Sequence, residues 1–218
     1  NVSLVNPVVL TTNAGRTGIV VNAAYSVISN CTVLASRGTA IGKQGAYSLQ
    51  LGHSILLAGG GDDHAAIAWV DGDLFSDWNN LVARGASWVG IHNGKWERLA
   101  YWQAASGQDA NSVSFEPRFA NETTGDLHLQ SAGGRWSQYF YDLSMDPWDY
   151  GDTNTSPLID VGDPWIGVGY EPMYNGYRRN LGAYGGTAQA SKSVTNFWLT
   201  ALSHNDGASS RSGWRSAL

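Results

Sequence analysis

Three segments in the first half of the chain align without a gap on their closing alanine, and this repeat limits the possible folds more than any other feature. The segments are Ser29–Ala35, Gly52–Ala58 and Asp77–Ala83, so their closing alanines, at positions 35, 58 and 83, lie 23 and then 25 residues apart. A period in the low twenties with no helical pattern between repeats is typical of a solenoid. One coil cannot bury its apolar face alone, whereas stacked coils can, about 4.8 Å apart.

A second short β-type run precedes each of these segments, and a fourth follows the last one. We therefore predict stacked parallel strands over residues 18–91, with two internal columns of apolar side chains. The first column is expected to contain Ile19, Ile41, Ile67 and Val89, and the second Val33, Leu56 and Leu81.

Two other folds fit this part of the sequence less well. Leucine-rich repeats share the period, but their fixed leucine and asparagine spacing is missing. A β-sandwich would need hairpin turns, and the Asn-Gly pair at Asn93-Gly94 comes only after the fourth run. The fold predicted is an all-β, right-handed parallel β-helix.

Further along the chain we expect one short helix and two long loops. Arg98–Ser106 has helix-forming residues and stops at Gly107, which predicts a helix packed on the flank of the coils. Strands are expected at Gly125–Leu129, Ser156–Gly162 and Asn180–Tyr184. The loops between them, at about 131–155 and 163–179, are rich in aromatic residues, and loops of this length usually carry function or cover a core.

Composition excludes several classes of protein. Net charge is −5 and only 14% of residues are charged, with no run of Lys or Arg, so the electrostatic footprint of a nucleic-acid-binding protein is missing. Apolar stretches are too short to predict a membrane-spanning helix. Cys31 is the single cysteine, which excludes an intrachain disulfide and predicts a small buried hydrophobe.

The second half carries a resemblance to a known group of proteins. Ser156–Pro164 (SPLIDVGDP) and Asn175–Tyr184 (NGYRRNLGAY), which continues into Gly185-Gly186, are similar to the closing signature of large, secreted bacterial surface proteins with right-handed parallel β-helix repeats of the pectate-lyase-like superfamily. Asp77–Leu81, Trp102–Ser112 and Gly125–Leu129 resemble the same group in the same order.

The resemblance covers about residues 18–193 and implies a secreted or cell-surface β-helix. It implies no one reaction, because this superfamily mixes lyases, hydrolases, adhesins and fibres. The domain expected is 1–193, and residues 194–218 are similar to the segment that leads into a following β-sandwich, an extension or linker strand.

Several polar clusters are candidates for chemistry. Asp62, Asp63 and His64 follow three glycines and form a weak catalytic set; Asp62 and Asp63 are also a weak metal site, for Ca²⁺. A turn whose aspartates cap their own backbone is the favoured interpretation, so no cofactor is predicted.

Other acidic groups favour structural roles. Asp71, Asp73 and Asp77 suit an inverting hydrolase only if two carboxylates approach, which the alignment does not predict. Asp160 and Asp163, with Arg178 and Arg179, are expected to seal the end of the solenoid, either by an Asp–Arg bridge or by aspartates that cap the backbone. His128 is expected to point outward from a strand, and His53 to have no special role.

The aromatic residues of the long loops suit either a sugar-stacking platform or apolar lids over the coils. Trp136, Tyr139, Trp148 and Trp165 are the predicted carbohydrate contacts. Tyr141, Tyr150, Tyr170 and Tyr174 belong to the same set.

The function favoured by the residues is that of an extracellular structural or surface protein, such as a stalk, adhesin or filament subunit. Its predicted partners are copies of itself, joined head to tail, or neighbouring domains, and also polysaccharide. Asn1–Val5 reads as a strand already inside a coil, and Thr195–Leu202 as the segment that contacts the next copy. The alternatives are a polysaccharide lyase or glycoside hydrolase, and a carbohydrate-binding module. No convincing general base is present, so an enzyme is the less favoured class.

Overall fold

The computed structural model describes residues 1–22, 24–137 and 146–194. This part of the chain contains seventeen strands and one α-helix. They are β1 (Val2–Val5), β2 (Val8–Thr11), β3 (Thr17–Val21), β4 (Ser26–Ser29), β5 (Thr32–Ala35), β6 (Thr39–Lys43), β7 (Leu49–Gly52), β8 (Ile55–Gly59), β9 (Ala65–Trp69), β10 (Leu74–Asp77), β11 (Asn80–Arg84), β12 (Trp88–Ile91), β13 (Lys95–Trp96), α1 (Leu99–Ser106), β14 (Phe119–Asn121), β15 (Asp126–Leu129), β16 (Arg135–Trp136) and β17 (Trp148–Asp149).

The first twelve strands form a parallel β-helix of four coils, each coil contributing one strand to each of three sheets. Sheet A has the order β1-β4-β7-β10, sheet B the order β2-β5-β8-β11, and sheet C the order β3-β6-β9-β12. All neighbours within these orders pair in parallel, and β13 adds to sheet C as an antiparallel hairpin strand after β12. The predicted fold is confirmed.

The register within sheet B is the one that the sequence alignment predicts. Ala35 pairs with Ala58 and Ala58 with Ala83. Val33, Leu56 and Leu81 therefore stack directly above one another, and none of the three side chains is exposed. Cys31, just before this column, is also fully buried, and burial raises the pKa of its thiol to about 12.

The isoleucine column of sheet C differs from the prediction at its last position. Ile19 pairs with Ile41 and Ile41 with Ile67, but the partner of Ile67 is Gly90 rather than Val89. Val89 is still buried in the same core. A Cβ atom at Gly90 would lie only 2.0 Å from the Trp102 ring, so the glycine makes room for that indole.

A residue with positive φ separates sheet A from sheet B in every coil. The four positions are Asn6, Asn30, His53 and Trp78, with φ between 51° and 60°. Asparagine and histidine are enriched in this left-handed conformation, whereas tryptophan adopts it less often. The repeated backbone conformation turns each coil at the same place and keeps the strands in register.

The last coil is covered by the segment that contains α1 and extends to Val113, here called the cap. The helix begins at Leu99 and ends at Gly107, whose φ is 68°, and its Trp102 is fully buried in the core of the coils. Asp109 ties this segment to β10 through its N–H, and Val113 pairs with Asn80 of β11. The predicted helix is confirmed, but it lies over the end of the stack as well as beside β12 and β13.

Residues 119–137 and 146–194 form a layer against the outer face of sheet B, here called the 119–194 layer. Leu34, Leu57 and Val82, which alternate with the inner column, pack against Leu127 and the apolar residues that share its cluster, among them Leu129, Leu158, Ile159 and Leu181. Strands β5, β8 and β11 of sheet B are therefore covered on both faces, which explains their continuous apolar sequences.

Two of the three strands expected in this layer are turns. Asp126–Leu129 is a strand, paired with β14, but residues 156–162 and 180–184 form turns and bends. Their apolar residues contact a sheet face rather than a sheet edge, so no neighbouring strand is available. Backbone hydrogen bonds inside the layer, such as Leu181 N–H to Leu158 O at 3.1 Å, satisfy these segments instead.

Two further predictions about this layer are wrong. His128 does not point to solvent: it is 1% exposed, and its ring stacks on Tyr184 at 3.6 Å because the layer covers both faces of β15. Arg178 and Arg179 do not seal an end of the solenoid, because they lie beside Asn30 and His53 on the flank of the coils.

The described residues also bear on the extent of the domain and on the membrane. The coils occupy residues 2–91 of the expected 1–193 domain, and the rest of it forms the cap and the covering layer. Of the predicted 194–218 extension, everything after Val194 lies outside the described residues. No helix among the residues searched is long and apolar enough to cross a membrane.

The internal column of sheet B should tolerate no charge. Leu56→Asp places an unpaired carboxylate between Val33 and Leu81, and we expect a loss of more than about 4 kcal/mol of stability, enough to prevent folding. Circular dichroism and chemical denaturation would measure it. The matched variant Val70→Asp, at a side chain that is 70% exposed, should unfold like the wild type. Normal unfolding of Leu56→Asp would contradict the stacking.

Candidate functional site

The outer face of sheet A carries an open groove of about 590 Å³, here called the sheet A groove. Its floor and walls come from strands β4, β7 and β10, from the turns that follow β7 and β10, and from residues 107–110 of the cap. Among the described residues, no layer covers the outer side of sheet A at these strands as it does at sheet B.

The floor of the groove is a column of outward side chains. Val27, Gln50 and Phe75 are paired neighbours on successive strands. The Phe75 ring is 57% exposed, and Gln50 is exposed beside it. An apolar ring next to an amide on a flat sheet offers both stacking and hydrogen bonding to a ligand.

One wall of the groove is formed by the turn residues His53 and Trp78. Nε2 of His53 accepts a hydrogen bond of 3.2 Å from the N–H of Asp163, and the Arg178 guanidinium lies 5.6 Å from the centre of the Trp78 ring. Burial, together with the nearby Arg179, lowers the pKa of His53, which suits its role as a neutral acceptor. These contacts join the groove to the loop that begins at Asp163.

That loop, residues 163–177 and here called the aromatic loop, presents large apolar side chains to solvent. Its Trp165 is 93% exposed, Tyr170 85% and Tyr177 81%; Met173 and Tyr174 are also exposed. Soluble proteins rarely leave so many large apolar groups uncovered in one short segment, and such a patch marks a binding surface.

Three buried or half-buried charged residues hold the aromatic loop in place. Arg178 donates to the carbonyls of Val161 and Gly162, with the shortest contact at 2.6 Å. Arg179 donates to Asn30 Oδ1 at 3.1 Å and to a carbonyl within the loop. Neither arginine forms an ion pair with Asp160 or Asp163 among the described residues, so the Asp–Arg bridge is wrong. The alternative of a carboxylate that caps the backbone is seen at Asp163, whose Oδ1 accepts a hydrogen bond of 2.9 Å from the N–H of Trp165.

Glu171 is the third of these residues and is only 7% exposed. Its Oε1 accepts hydrogen bonds of 2.8 Å from the N–H groups of Asn180 and Gly186, which fastens the loop to the layer below. Burial raises the pKa of Glu171 to about 7, with a further contribution from the negative charge of Asp160.

The two carboxylates that line the groove are both committed to holding the cap. Asp77 accepts hydrogen bonds from the N–H groups of Trp78 and Asn111 and from the Asn111 side chain. Asp109 is 1% exposed and accepts from Ser76, Asn79, Ser112 and the Trp102 indole. Both carboxylates are therefore engaged in hydrogen bonds, most of them to the cap.

The Asp62, Asp63 and His64 cluster lies on a different side of the coils, at the turn between β8 and β9. Nζ of Lys95 lies 2.8 Å from Asp62 and 3.2 Å from Asp63, whose side chains are 69% and 94% exposed. Nδ1 of His64 is turned to its own loop, 2.9 Å from the Gly59 carbonyl. Among the residues searched no group of three His, Cys, Asp or Glu side chains is placed to hold a metal ion.

The predicted carbohydrate contacts fall into separate places. Trp136 and Trp148 are half-buried and meet edge to face at 5.6 Å, with Lys192 4.1 Å above the Trp148 ring. These two rings cover each other, which fits the alternative of an apolar lid rather than that of a sugar-stacking platform. Trp165 is fully presented to solvent, while Tyr139 and Tyr141 lie outside the described residues.

Sequence reasoning missed Phe75, Met173, Tyr177 and Glu171. Phe75 is an apolar residue at an outward position of a strand, and the alternation in Leu74-Phe75-Ser76 was the available signal. Nothing in the sequence around Glu171 shows that its carboxylate is buried, because the residues that cover it lie up to 15 positions away.

Comparisons with protein-family models, with curated proteins and with solved structures found no match to this chain.

Glu171 should make stability depend on pH. Its pKa in the folded protein, about 7, lies above the ordinary value of 4.5, so the folded state holds this proton more tightly. Stability should therefore fall as pH rises from about 4.5 to about 7, by on the order of 2 kcal/mol. Glu171→Gln should remove this slope, and Glu97→Gln, at an exposed carboxylate, should keep it. Urea denaturation at several pH values measures both; an unchanged slope in Glu171→Gln would contradict the assignment.

The aspartates of the glycine turn should add little to stability. Because Asp62 and Asp63 are exposed and, among the described residues, form ion pairs only with Lys95, replacing either by Asn should leave the free energy of unfolding nearly unchanged. Calcium should not raise the melting temperature. A calcium-dependent rise that is present in the wild type and lost in Asp63→Asn would show a metal site instead.

Proposed function

We propose that this chain is a glycan-binding β-helix domain of an extracellular surface protein. The observation that carries the proposal is the continuity between the sheet A groove and the aromatic loop, which meet at His53 and Trp78. Together they offer an elongated surface with exposed rings at Phe75, Trp165 and Tyr177.

The shape and chemistry of this surface suit an extended sugar chain. Aromatic rings bury the apolar faces of pyranoses, and polar groups beside the rings satisfy hydroxyls. Gln50 and the Gln108 segment of the cap supply such polar groups next to Phe75. The groove also crosses three strands about 4.8 Å apart, which gives it an elongated floor.

Binding is favoured over polysaccharide cleavage because of the state of the carboxylates. A glycoside hydrolase needs two carboxyl groups that can reach the substrate, and a lyase needs a base. Asp77 and Asp109 instead accept hydrogen bonds from the cap, and Nε2 of His53 accepts a hydrogen bond from the N–H of Asp163. The secreted location, and a role in a stalk or adhesin, rest on the resemblance of the closing segments to bacterial surface proteins.

Affinity electrophoresis in gels that contain soluble polysaccharides would test the proposal. The wild type should be retarded by at least one neutral polysaccharide, and Phe75→Ala and the double variant Trp165→Ala/Tyr177→Ala should each weaken binding roughly tenfold. Tyr47→Ala is the matched control, because Tyr47 is 58% exposed and does not line the groove.

Two results would contradict glycan binding at this surface. One is a wild-type protein that is retarded by no polysaccharide in a broad panel. The other is a loss of affinity in Tyr47→Ala as large as in Phe75→Ala. Release of shortened or unsaturated sugars from a retained polysaccharide would instead favour the enzymatic alternative.

A further inference from the structure

One ammonium group of the 119–194 layer is held by aromatic rings. Nζ of Lys192 lies 4.1 Å from the centre of the Trp148 ring and 5.5 Å from the centre of the Tyr150 ring. The same nitrogen donates a hydrogen bond of 3.2 Å to the Tyr150 hydroxyl. The two rings and Gly134, against which Tyr150 and Lys192 both lie, are here called the ammonium cage.

The hairpin of β16 and β17 orients the rings of the cage. Trp148 and Tyr150 are two positions apart, and side chains at this spacing in an extended chain point to the same face. Trp148 pairs with Trp136 across the hairpin, and the two rings meet edge to face at 5.6 Å. Trp136 thereby fixes the orientation of the Trp148 indole, whose face meets the Lys192 ammonium.

Gly134 forms the floor of the cage. A Cβ atom added to it would lie 2.9 Å from Cε1 of Tyr150 and 3.4 Å from Cδ of Lys192. Its carbonyl accepts a hydrogen bond of 2.9 Å from the N–H of Lys192, which holds the main chain of Lys192 beside the rings. The flexible four-carbon side chain of this lysine can therefore leave the rings while its backbone stays in place.

Lys192 differs from the other cations that lie near aromatic rings in the described part of the chain. Each of those cations also contacts a carboxylate or a carbonyl oxygen. The pairs are Lys95 with Asp62, Arg98 with Glu97, and Arg178 with the carbonyl of Gly162. Lys192 forms no ion pair among the described residues, and its side-chain hydrogen bond there is to Tyr150. The rings are therefore the main partners of its ammonium group.

The surroundings of the cage are acidic. The Arg135 guanidinium, next to Trp136 on β16, contacts the carboxylates of Asp126, Asp149 and Asp152 at 3.5, 2.7 and 2.9 Å. A further carboxylate, that of Asp146, accepts a hydrogen bond of 3.1 Å from the Tyr150 hydroxyl. Carboxylates thus outnumber the guanidinium around this hairpin, and the resulting negative potential favours a cation between the rings.

A primary ammonium group makes limited use of such a cage. It carries three N–H donors and is strongly hydrated, so it loses hydrogen bonds to water when it lies against ring faces. A quaternary ammonium ion has no N–H donor, is weakly hydrated and presents methyl groups to the rings. Aromatic cages that recognise choline or methylated lysine work on this basis.

We propose that the ammonium cage is a binding site for a quaternary ammonium group of the choline class, with Lys192 as its exchangeable internal occupant. Tyr150 is 54% exposed, so a ligand can reach the rings from solvent. The ligand replaces the Lys192 head group over Trp148, and the displaced ammonium moves into water. None of the cage residues lines the sheet A groove, so this site does not depend on glycan binding.

Titration with tetramethylammonium chloride, followed through the NMR signals of the tryptophan indole N–H groups, would test the site. The wild type should bind with a millimolar Kd, because Lys192 competes for the rings. Lys192→Ala should bind about tenfold more tightly, since the cage is then vacant. Adding Tyr150→Leu to Lys192→Ala should weaken binding at least about tenfold, and the exposed position of Tyr150 should leave the circular dichroism unchanged.

Two controls separate this site from general effects of charge. Lys95→Ala should bind like the wild type, because Lys95 lies 5.9 Å from the centre of the Trp88 ring but is held by Asp62 and Asp63. The uncharged isostere of choline, 3,3-dimethylbutanol, should bind more weakly than tetramethylammonium. The site would be overturned by the absence of binding in both the wild type and Lys192→Ala, by equal affinities of these two proteins, or by equal affinity for the uncharged isostere.

Discussion

The double burial of sheet B is the constraint on which the rest of the structure depends. On its inner face Val33, Leu56 and Leu81 stack in the core of the coils, and on its outer face Leu57 and its neighbours hold the 119–194 layer. Burying one such side chain contributes about 1.5–3 kcal/mol. Val33 and Leu56 each have a partner in the coils on both sides, and Leu81 pairs with Leu56. One sheet thereby fixes both the spacing of the coils and the position of the second half of the chain.

The candidate site follows from the same asymmetry. Because the layer covers sheet B, the outer face of sheet A stays open and its paired side chains form the floor of a groove. The layer also carries the aromatic loop, which Glu171 and the two arginines fasten beside the turns at Asn30 and His53. The groove therefore combines residues that are more than a hundred positions apart, as the hydrogen bond between His53 and Asp163 shows.

The two ends of the solenoid have been treated differently by the sequence. At the last coil, the absence of a side chain at Gly90 leaves room for Trp102 to close the core. Asp109 accepts hydrogen bonds from four side chains beneath the cap. At the first coil the same columns end in Leu4, Val9 and Ile19 without any charged residue in the strands that carry them.

The sequence by itself determined the coils. Inward and outward side chains alternate along each strand, and the repeat of 23 and 25 residues stacks apolar residues of one coil on apolar residues of the next. It also located the helix that ends before Gly107 and the buried thiol of Cys31. Only the tertiary structure decided which face each later segment meets: residues 156–162 and 180–184 are turns, His128 is buried against Tyr184, and Lys95 reaches Asp62. Those outcomes depend on contacts between segments distant in the chain, and such contacts leave no repeating pattern in the sequence. The sequence could therefore name aromatic and acidic candidates but could not show which of them lie together.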